Sequence, residues 1–391
     1  MYFRHIDSLI KNHFKKRNEV LIVLGARQVG KTTLLKKIFP EALYLSVDNE
    51  TIRQNLERYD SSFYKTMIPK DKNLIVIDEI HLLKNPGRCA KIFYDNFPKI
   101  KLIITGSSSF HIKNKTSESL AGRKVDYHLF PLTFTEYLNQ KSITKNIRLP
   151  ILEQLEKGEK LIDEKAYLFD IEGILQEILI FGSYPHLINH PKDNVYLKNL
   201  IDSVIFKDLL DLSLIENRQA AKNLLILLAY QIGSLINYSE LSLKLGIEVK
   251  TVKRYLSLFE QSFIIYTLPP FLSNKRDEIT KMKKVYFYDL GLRNALINNF
   301  QPLNIRTDFG ALFENFIVSE IIKANFYGDF GYNLYFWRTK KGTEIDLILE
   351  KEDKITAIEI KTKKSKSKAA FAFKNRFPKA KILTINKANF Y

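Results

Sequence analysis

The string Gly25-Ala26-Arg27-Gln28-Val29-Gly30-Lys31-Thr32, continued by Thr33, constrains this chain more than any other. It has the spacing G-x-x-x-x-G-K-T, follows the apolar run Val20 to Leu24, and opens the helical pattern TLLKKIF. Glycines let the backbone wrap a phosphate closely, and the loop N–H groups and the helix N-terminus then face the anion. In such a loop Lys31 reaches the β- and γ-oxygens of a nucleotide and Thr32 offers an oxygen to Mg²⁺. Residues 25–33 are therefore the expected phosphate-binding segment.

A second signal follows 46 residues after Thr32, where the apolar run Leu74 to Ile77 ends in Asp78-Glu79. A buried strand ending in Asp places a carboxylate beside the nucleotide's Mg²⁺, and the next Glu can polarise the attacking water as general base. Asp78 is thus the expected metal-associated residue and Glu79 the catalytic one. KLIITGSSS (101–109) reads as a further core strand ending in hydroxyls, with Ser107 the preferred sensor of the γ-phosphate and Thr105 and Ser108 competing. Arg123, in SESLAGRK, is a candidate arginine finger acting on a neighbouring subunit, which makes a homo-oligomer an expectation.

Short β-branched runs at 20–24, 42–48, 74–78, 101–106 and 127–130 alternate with helical stretches. That order predicts an α/β fold with a doubly wound parallel sheet. The chain then turns leucine-rich and helical, and after Pro269-Pro270 it offers a helix at 310–325 and strand-like runs YFWRT, EIDLIL and AIEIKT, a separate α/β pattern. Three domains are expected: 1–140, 141–270 and 271–391.

Within the middle section, YSELSLKLGIEVKTVKRYLSLFE reads as a helix, a turn at Gly246 and a second helix over 250–260. A strand-like exit gives it the look of a helix-turn-helix with a wing. Lys250, Thr251, Lys253 and Arg254 crowd the front of the second helix, where a recognition helix meets phosphates and bases. The same unit can instead serve as a relay or assembly surface. Toward the C-terminus, Glu344 and Asp346 lie on one strand-like run and Glu359 and Lys361 on another, with Glu314 in the preceding helix. Glu359 and Lys361 share a face of a period-2 strand, so Asp346 and Glu359 can hold one divalent ion while Lys361 orients water. This is the D-x(n)-E-x-K layout of metal-dependent nucleases.

Composition supports a polyanionic partner. Among 391 residues, 61 Lys and Arg face 43 Asp and Glu, for a net charge of +18. Half of that excess lies in 351–391, where twelve basic residues face three acidic ones. Lys and Arg that neutralise phosphates release condensed counterions, so a polyanionic partner such as nucleic acid is favoured over the reading of a protein that is merely basic; DNA is expected ahead of RNA. The single cysteine, Cys89, excludes an internal disulfide and a cysteine-rich zinc site and suits a reducing, cytoplasmic setting. No uncharged apolar run is long enough for a membrane span, and the N-terminal residues lack the apolar core of a signal peptide.

GARQVGKTTLL, LIVIDEIH, KLIITGSSS, SLAGRKVDYHLFPLTFTEYL and FGSYP together resemble the bacterial and archaeal AAA+-like ATPases of the additional-strand, catalytic-glutamate class. From the helix-turn-helix through KVYFYDLGLRNAL, GALFENFIVSEII and AIEIKT, the chain resembles the domain of unknown function fused to them, itself similar to PD-(D/E)XK nucleases with a restriction-endonuclease-like fold. The resemblance implies ATP binding and Mg²⁺-dependent hydrolysis coupled to a DNA-binding, nuclease-like module in DNA processing or defence. The alternative is a nucleotide-gated signalling or interaction ATPase with a catalytically silent C-terminal domain.

Overall fold

The computed structural model describes residues 3–107, 120–142, 152, 168–202, 214–272, 282–339, 342–362 and 368–390. Ser108, the leucine-rich run 153–162, the SNKRDE stretch and the basic run 363–367 lie outside them. The chain divides into two compact units, Met1–Pro131 with Gln261–Phe263, and Leu132–Glu260 with Ile264–Tyr391.

In the first unit, β1 (Val20–Leu24), β2 (Leu43–Ser46), β3 (Leu74–Asp78), β4 (Lys101–Gly106) and β5 (Lys124–His128) form a parallel sheet in the order β2-β3-β4-β1-β5. The sequence order is broken because β4 is inserted between β3 and β1. Every residue of β1 is buried, and β3 and β4 are buried beyond their first residues, as continuous apolar runs covered on both faces must be. The helices α1 (Asp7–Lys16), α2 (Lys31–Ile38), α3 (Glu50–Leu56), α4 (Ser61–Met67) and α5 (Pro86–Asn96) complete the unit. α5 starts where Asn85 accepts from Arg88 N and Pro86 fills a position whose N–H would have no partner. The last strand begins earlier than the apolar run 127–130 suggests. It is an edge strand, KVDYH, half-buried throughout, and a half-exposed edge accommodates the charges that hid it.

The second unit contains α6 (Phe134–Gln140), α7 (Leu168–Phe181), α8 (His186–Asn189), α9 (Asn194–Ile201) and α10 (Arg218–Tyr230). Next come α11 (Tyr238–Leu245) and α12 (Val249–Gln261), turned at Gly246 in the left-handed region, φ +63°. The antiparallel pair β6 (Ile265–Leu268) and β7 (Lys284–Phe287) follows. Then α13 (Leu290–Leu296) and α14 (Phe309–Tyr327) lead to β8 (Asn333–Arg338), β9 (Glu344–Lys351), β10 (Lys354–Ile360), α15 (Lys368–Arg376) and β11 (Lys381–Ile385). The four C-terminal strands form a mixed sheet, β11-β10-β9-β8, antiparallel except where β11 pairs parallel with β10. The sequence pattern does not predict β11, which lies inside the basic tail. The apolar core beside this sheet is Phe271, Tyr335, Trp337, Ile345, Ile348, Ala357, Phe373 and Ala380.

The FGSYP loop is fixed by a close backbone approach. Asp289 caps α13 by accepting from Leu292 N at 3.0 Å and also accepts from Ser183 N at 2.7 Å. Gly291 presses on the end of α7, where a Cβ would stand 1.9 Å from Phe181 O. Gly291→Ala is expected to destabilise the second unit by about 1–3 kcal/mol or more, since backbone cannot yield as a side chain can. A urea midpoint equal to wild type would contradict that close approach.

Candidate functional site

The phosphate loop sits at the C-terminal end of β1 and runs directly into α2, so the helix N-terminus faces the loop. Gly25 is required by space, because a Cβ there would lie 2.1 Å from Leu129 O. Gly30 is required by conformation, with φ at +95°. Ala26 and Val29 are buried, Arg27 is half-buried, and Gln28 and Thr33 are exposed. The Lys31 ammonium, almost fully buried, donates to Gly25 O at 2.9 Å and Ala26 O at 3.1 Å. It also stands 3.8 Å from Glu79 Oε1.

Asp78 joins three elements. Thr32 Oγ1 donates to Asp78 Oδ2 at 2.7 Å, and Thr105 Oγ1 donates to Asp78 Oδ1. Thr105 accepts in turn from Glu79 N at 3.1 Å. Thr105 is fully buried, which makes it a clamp on the acidic strand end. Glu79 lies just past β3 with φ at +55°, a left-handed conformation that strains a non-glycine residue and recurs at functional sites. Its Oε2 accepts from Ser107 N at 3.2 Å and lies 3.2 Å from His81 Nδ1. Burial pushes its carboxyl up, but Lys31 and His81 outweigh that and hold it at about 2.

Thr32 Oγ1 and the Asp78 carboxylate are adjacent hard oxygen donors beside the loop. Mg²⁺ is commonly held this way, by one or two carboxylate or hydroxyl oxygens with phosphate and water supplying the rest. The residues fit the ion. Arg123 precedes β5 at the strand end remote from the loop, its carbonyl accepting from Val20 N at 2.8 Å. Its guanidinium donates to Asp95 at 3.0 Å, so within one chain it does not face the phosphate loop. His81 escaped the sequence reading; the signal was a histidine inside an otherwise apolar run after the acidic pair.

On α12, Lys250 and Lys253 are exposed and Thr251 is half-buried. Lys253 lies over the Tyr238 ring at 5.3 Å, and Arg254 donates to Glu216 at 2.9 Å. Three of the four expected contacts, Lys250, Lys253 and Arg254, are exposed, Arg254 being paired with an acidic neighbour.

Of the C-terminal carboxylates, Glu314, Glu344 and Asp346 act on one lysine, Lys284. Asp346 on β9 accepts from Ile360 N at 2.7 Å, at the end of the hairpin that β10 makes with β9. Glu359 is fully buried, and Lys361, half-buried, is anchored by its N–H to Ile385 O at 2.9 Å. A residue outside the expected set occupies the centre: Lys284, on β7 and almost fully buried. Its ammonium bonds Glu314 Oε1 at 3.1 Å and pairs closely with Glu344, which also meets Arg338 at 3.4 Å. Tyr286 OH adds a bond to Glu314 at 2.7 Å. Burial pulls the Lys284 ammonium's pKa down, but Glu314, Glu344 and Asp346 outweigh it and hold it above the ordinary lysine value. Among the described residues, no group of three or more His, Cys, Asp and Glu is arranged to hold a metal ion.

Burial, then the charge of Glu314, raises Asp346 to about 7. Its unfolded value is ordinary, about 3.9. A raised folded value contributes stability that is fully present below the unfolded one and lost as pH rises through the folded one. Unfolding free energy should therefore fall between pH about 4 and 7, and Asp346→Asn should flatten that slope and stabilise the protein above it. Parallel denaturation curves of the two proteins across that range test this.

An AAA domain model matches residues 17–138. Two domains of unknown function, DUF8612 and DUF4143, match 172–303 and 309–389. Uncharacterized protein MJ1637 of Methanocaldococcus jannaschii is 27% identical over 97% of this chain and 82% of its own length. An uncharacterized protein of Haemophilus influenzae is 22% identical over 91% of this chain and 85% of its own. The Walker-type ATPase paby2304 of Pyrococcus abyssi is 13% identical, with a TM-score of 0.46, over 76% of this chain and 96% of that one. No helix among the described residues is long and apolar enough to cross a membrane. Residues 17–138, which hold the phosphate loop, thus match an AAA domain, and the later segments match two domains of unknown function.

Proposed function

We propose that the chain is a Mg²⁺-dependent ATP hydrolase whose nucleotide state controls a nucleic-acid-binding second unit, acting on DNA in preference to RNA. The observation that carries the hydrolytic reading is the network at the strand ends, in which Thr32, Asp78, Thr105, Glu79 and Lys31 meet. Thr32 and Asp78 would hold Mg²⁺, whose chemistry there is to neutralise charge on the β- and γ-phosphate oxygens. Lys31 moves from the loop carbonyls to those oxygens, which frees Glu79 from its cation. Glu79 then takes a proton from the water that attacks the γ-phosphorus, and the bond to ADP breaks. Arg123 serves a neighbouring copy, so turnover per chain should rise with protein concentration.

The nucleic-acid reading rests on the net charge of +18 and on Lys250, Thr251 and Lys253 at the start of α12, the second helix of a winged helix-turn-helix with β6 and β7 as its wing. One observation favours the second reading, a switch whose C-terminal site cuts nothing: Lys284 already pairs with both Glu314 and Glu344 where a nuclease would need a metal.

The expected outcomes are separable. Lys31→Ala should abolish ATP binding, whereas Glu79→Gln should retain binding and lose about 10²–10⁴-fold in turnover. Binding to duplex DNA should weaken with salt, and replacing Lys250 and Lys253 by Ala should reduce the log–log slope by about 0.9 for each phosphate no longer neutralised. Binding indifferent to salt would exclude nucleic acid as the partner. Incubation of wild type and Asp346→Ala with Mn²⁺ and single-stranded, duplex and branched DNA decides the rest. Cleavage by wild type that disappears in the variant supports a nuclease, and no cleavage by either protein supports the silent switch.

A further inference from the structure

We infer that His81 is a positioning residue that links Ser107, at the end of β4, to the carboxylate of Glu79. The inference rests on the hydrolytic reading above for its consequence, but its geometry stands on its own. His81 is 1% exposed, yet its environment is not apolar. Its Nε2 lies 3.3 Å from Ser107 Oγ, and its Nδ1 lies 3.2 Å from Glu79 Oε2. The same carboxylate oxygen accepts from Ser107 N at 3.2 Å. Serine, imidazole and carboxylate therefore close a ring across β3 and β4, in which the imidazole touches both of the other side chains.

One neutral tautomer satisfies both contacts: Nδ1–H directed at Glu79 and Nε2 accepting from the Ser107 hydroxyl. Nδ1 is buried and short of full hydrogen-bond alignment, so this contact has room to tighten or release. Ser107 has a single hydroxyl hydrogen. If that hydrogen turns to a γ-phosphate oxygen, Nε2 loses its donor, and the imidazole can change its hold on Glu79 without any proton being transferred. The geometry thus gives the hydroxyl at the end of β4 a physical route to the general base. Glu79 is held in a strained left-handed backbone, φ +55°, a conformation that clusters at functional sites.

Two readouts test the relay. ¹⁵N-histidine spectra of the full chain, with the His81 signal assigned through His81→Gln, read the tautomer directly and need no turnover. Ser107→Ala and Glu79→Gln should each shift the His81 ring resonances, while Lys250→Ala should leave them in place. Resonances unmoved by both site variants overturn the inference, whether or not the protein hydrolyses ATP. In turnover assays, His81→Ala should lower kcat by about 10–100-fold with ATP affinity within a few-fold of wild type, and His81→Gln should restore part of the loss. The double variant Ser107→Ala/His81→Ala should be no slower than its slower parent. Additive losses, or an unchanged kcat in His81→Ala, would show that no relay exists. Absence of ATP hydrolysis in wild type would overturn the hydrolytic reading alone, with the spectra still deciding whether His81 couples Ser107 to Glu79.

Discussion

The carboxylate of Asp78, accepting from Thr32 and Thr105, is the interaction on which the first unit's chemistry depends. It joins residues 46 and 27 positions apart in the chain, so only the fold can assemble it. The strand order makes this possible. With β4 inserted between β3 and β1, a threonine near the end of β4 stands beside the acidic end of β3, while α2 brings Thr32 over from the loop after β1. The buried carboxylate is satisfied by two hydroxyls, as buried polar groups must be. The two donors are neutral, so the charge of the carboxylate is left for a cation beside the loop.

What was legible in the sequence follows the range over which each feature acts. The phosphate loop and the Asp78-Glu79 pair are contiguous strings whose chemistry is local, and the structure places both at the C-terminal ends of parallel strands. The two helices on either side of Gly246 were legible for the same reason, from periodicity and one glycine turn. The roles of Thr105 and His81 were not, because they depend on which strand lies beside β3 and on which way a short turn directs a side chain. Lys284 was hidden by composition. It sits in a run of three lysines, K-M-K-K, where a charge ordinarily reads as solvent-facing, yet its side chain is 2% exposed.

Buried charge is handled consistently in the second unit. α14 is apolar nearly all round, the mark of a largely enclosed helix; its charged residues Glu320 and Lys323 are buried and Glu314 is partly so. Glu314 meets Lys284 and Tyr286, and Glu320 meets Lys323 at 3.1 Å and Phe134 N at 2.8 Å. Such pairs contribute little net stability, because desolvation offsets most of the attraction. Removing one partner is costly, since it leaves the other charge buried alone. Their effect is to fix the register of α14 against β7 and the segment at Phe134.

The two carboxylate clusters therefore use similar residues to opposite ends. At Asp78 and Glu79 the hydrogen bonds come from hydroxyls and backbone amides, and the nearby ammonium, on Lys31, is also the group a phosphate would draw away. That site remains electrostatically open to a divalent cation and an anionic substrate together. At Glu314 and Glu344 the partner is an ammonium delivered by a β-strand, tied down along its backbone by the pairing of β7 with β6. A cation bound by both carboxylates would compete with Lys284, and leaving that ammonium buried and unpaired costs several kcal/mol. The two sites differ in the ammonium each carboxylate already meets: Lys31, at the start of α2, stands 3.8 Å from Glu79, whereas Lys284, on β7, bonds Glu314 at 3.1 Å.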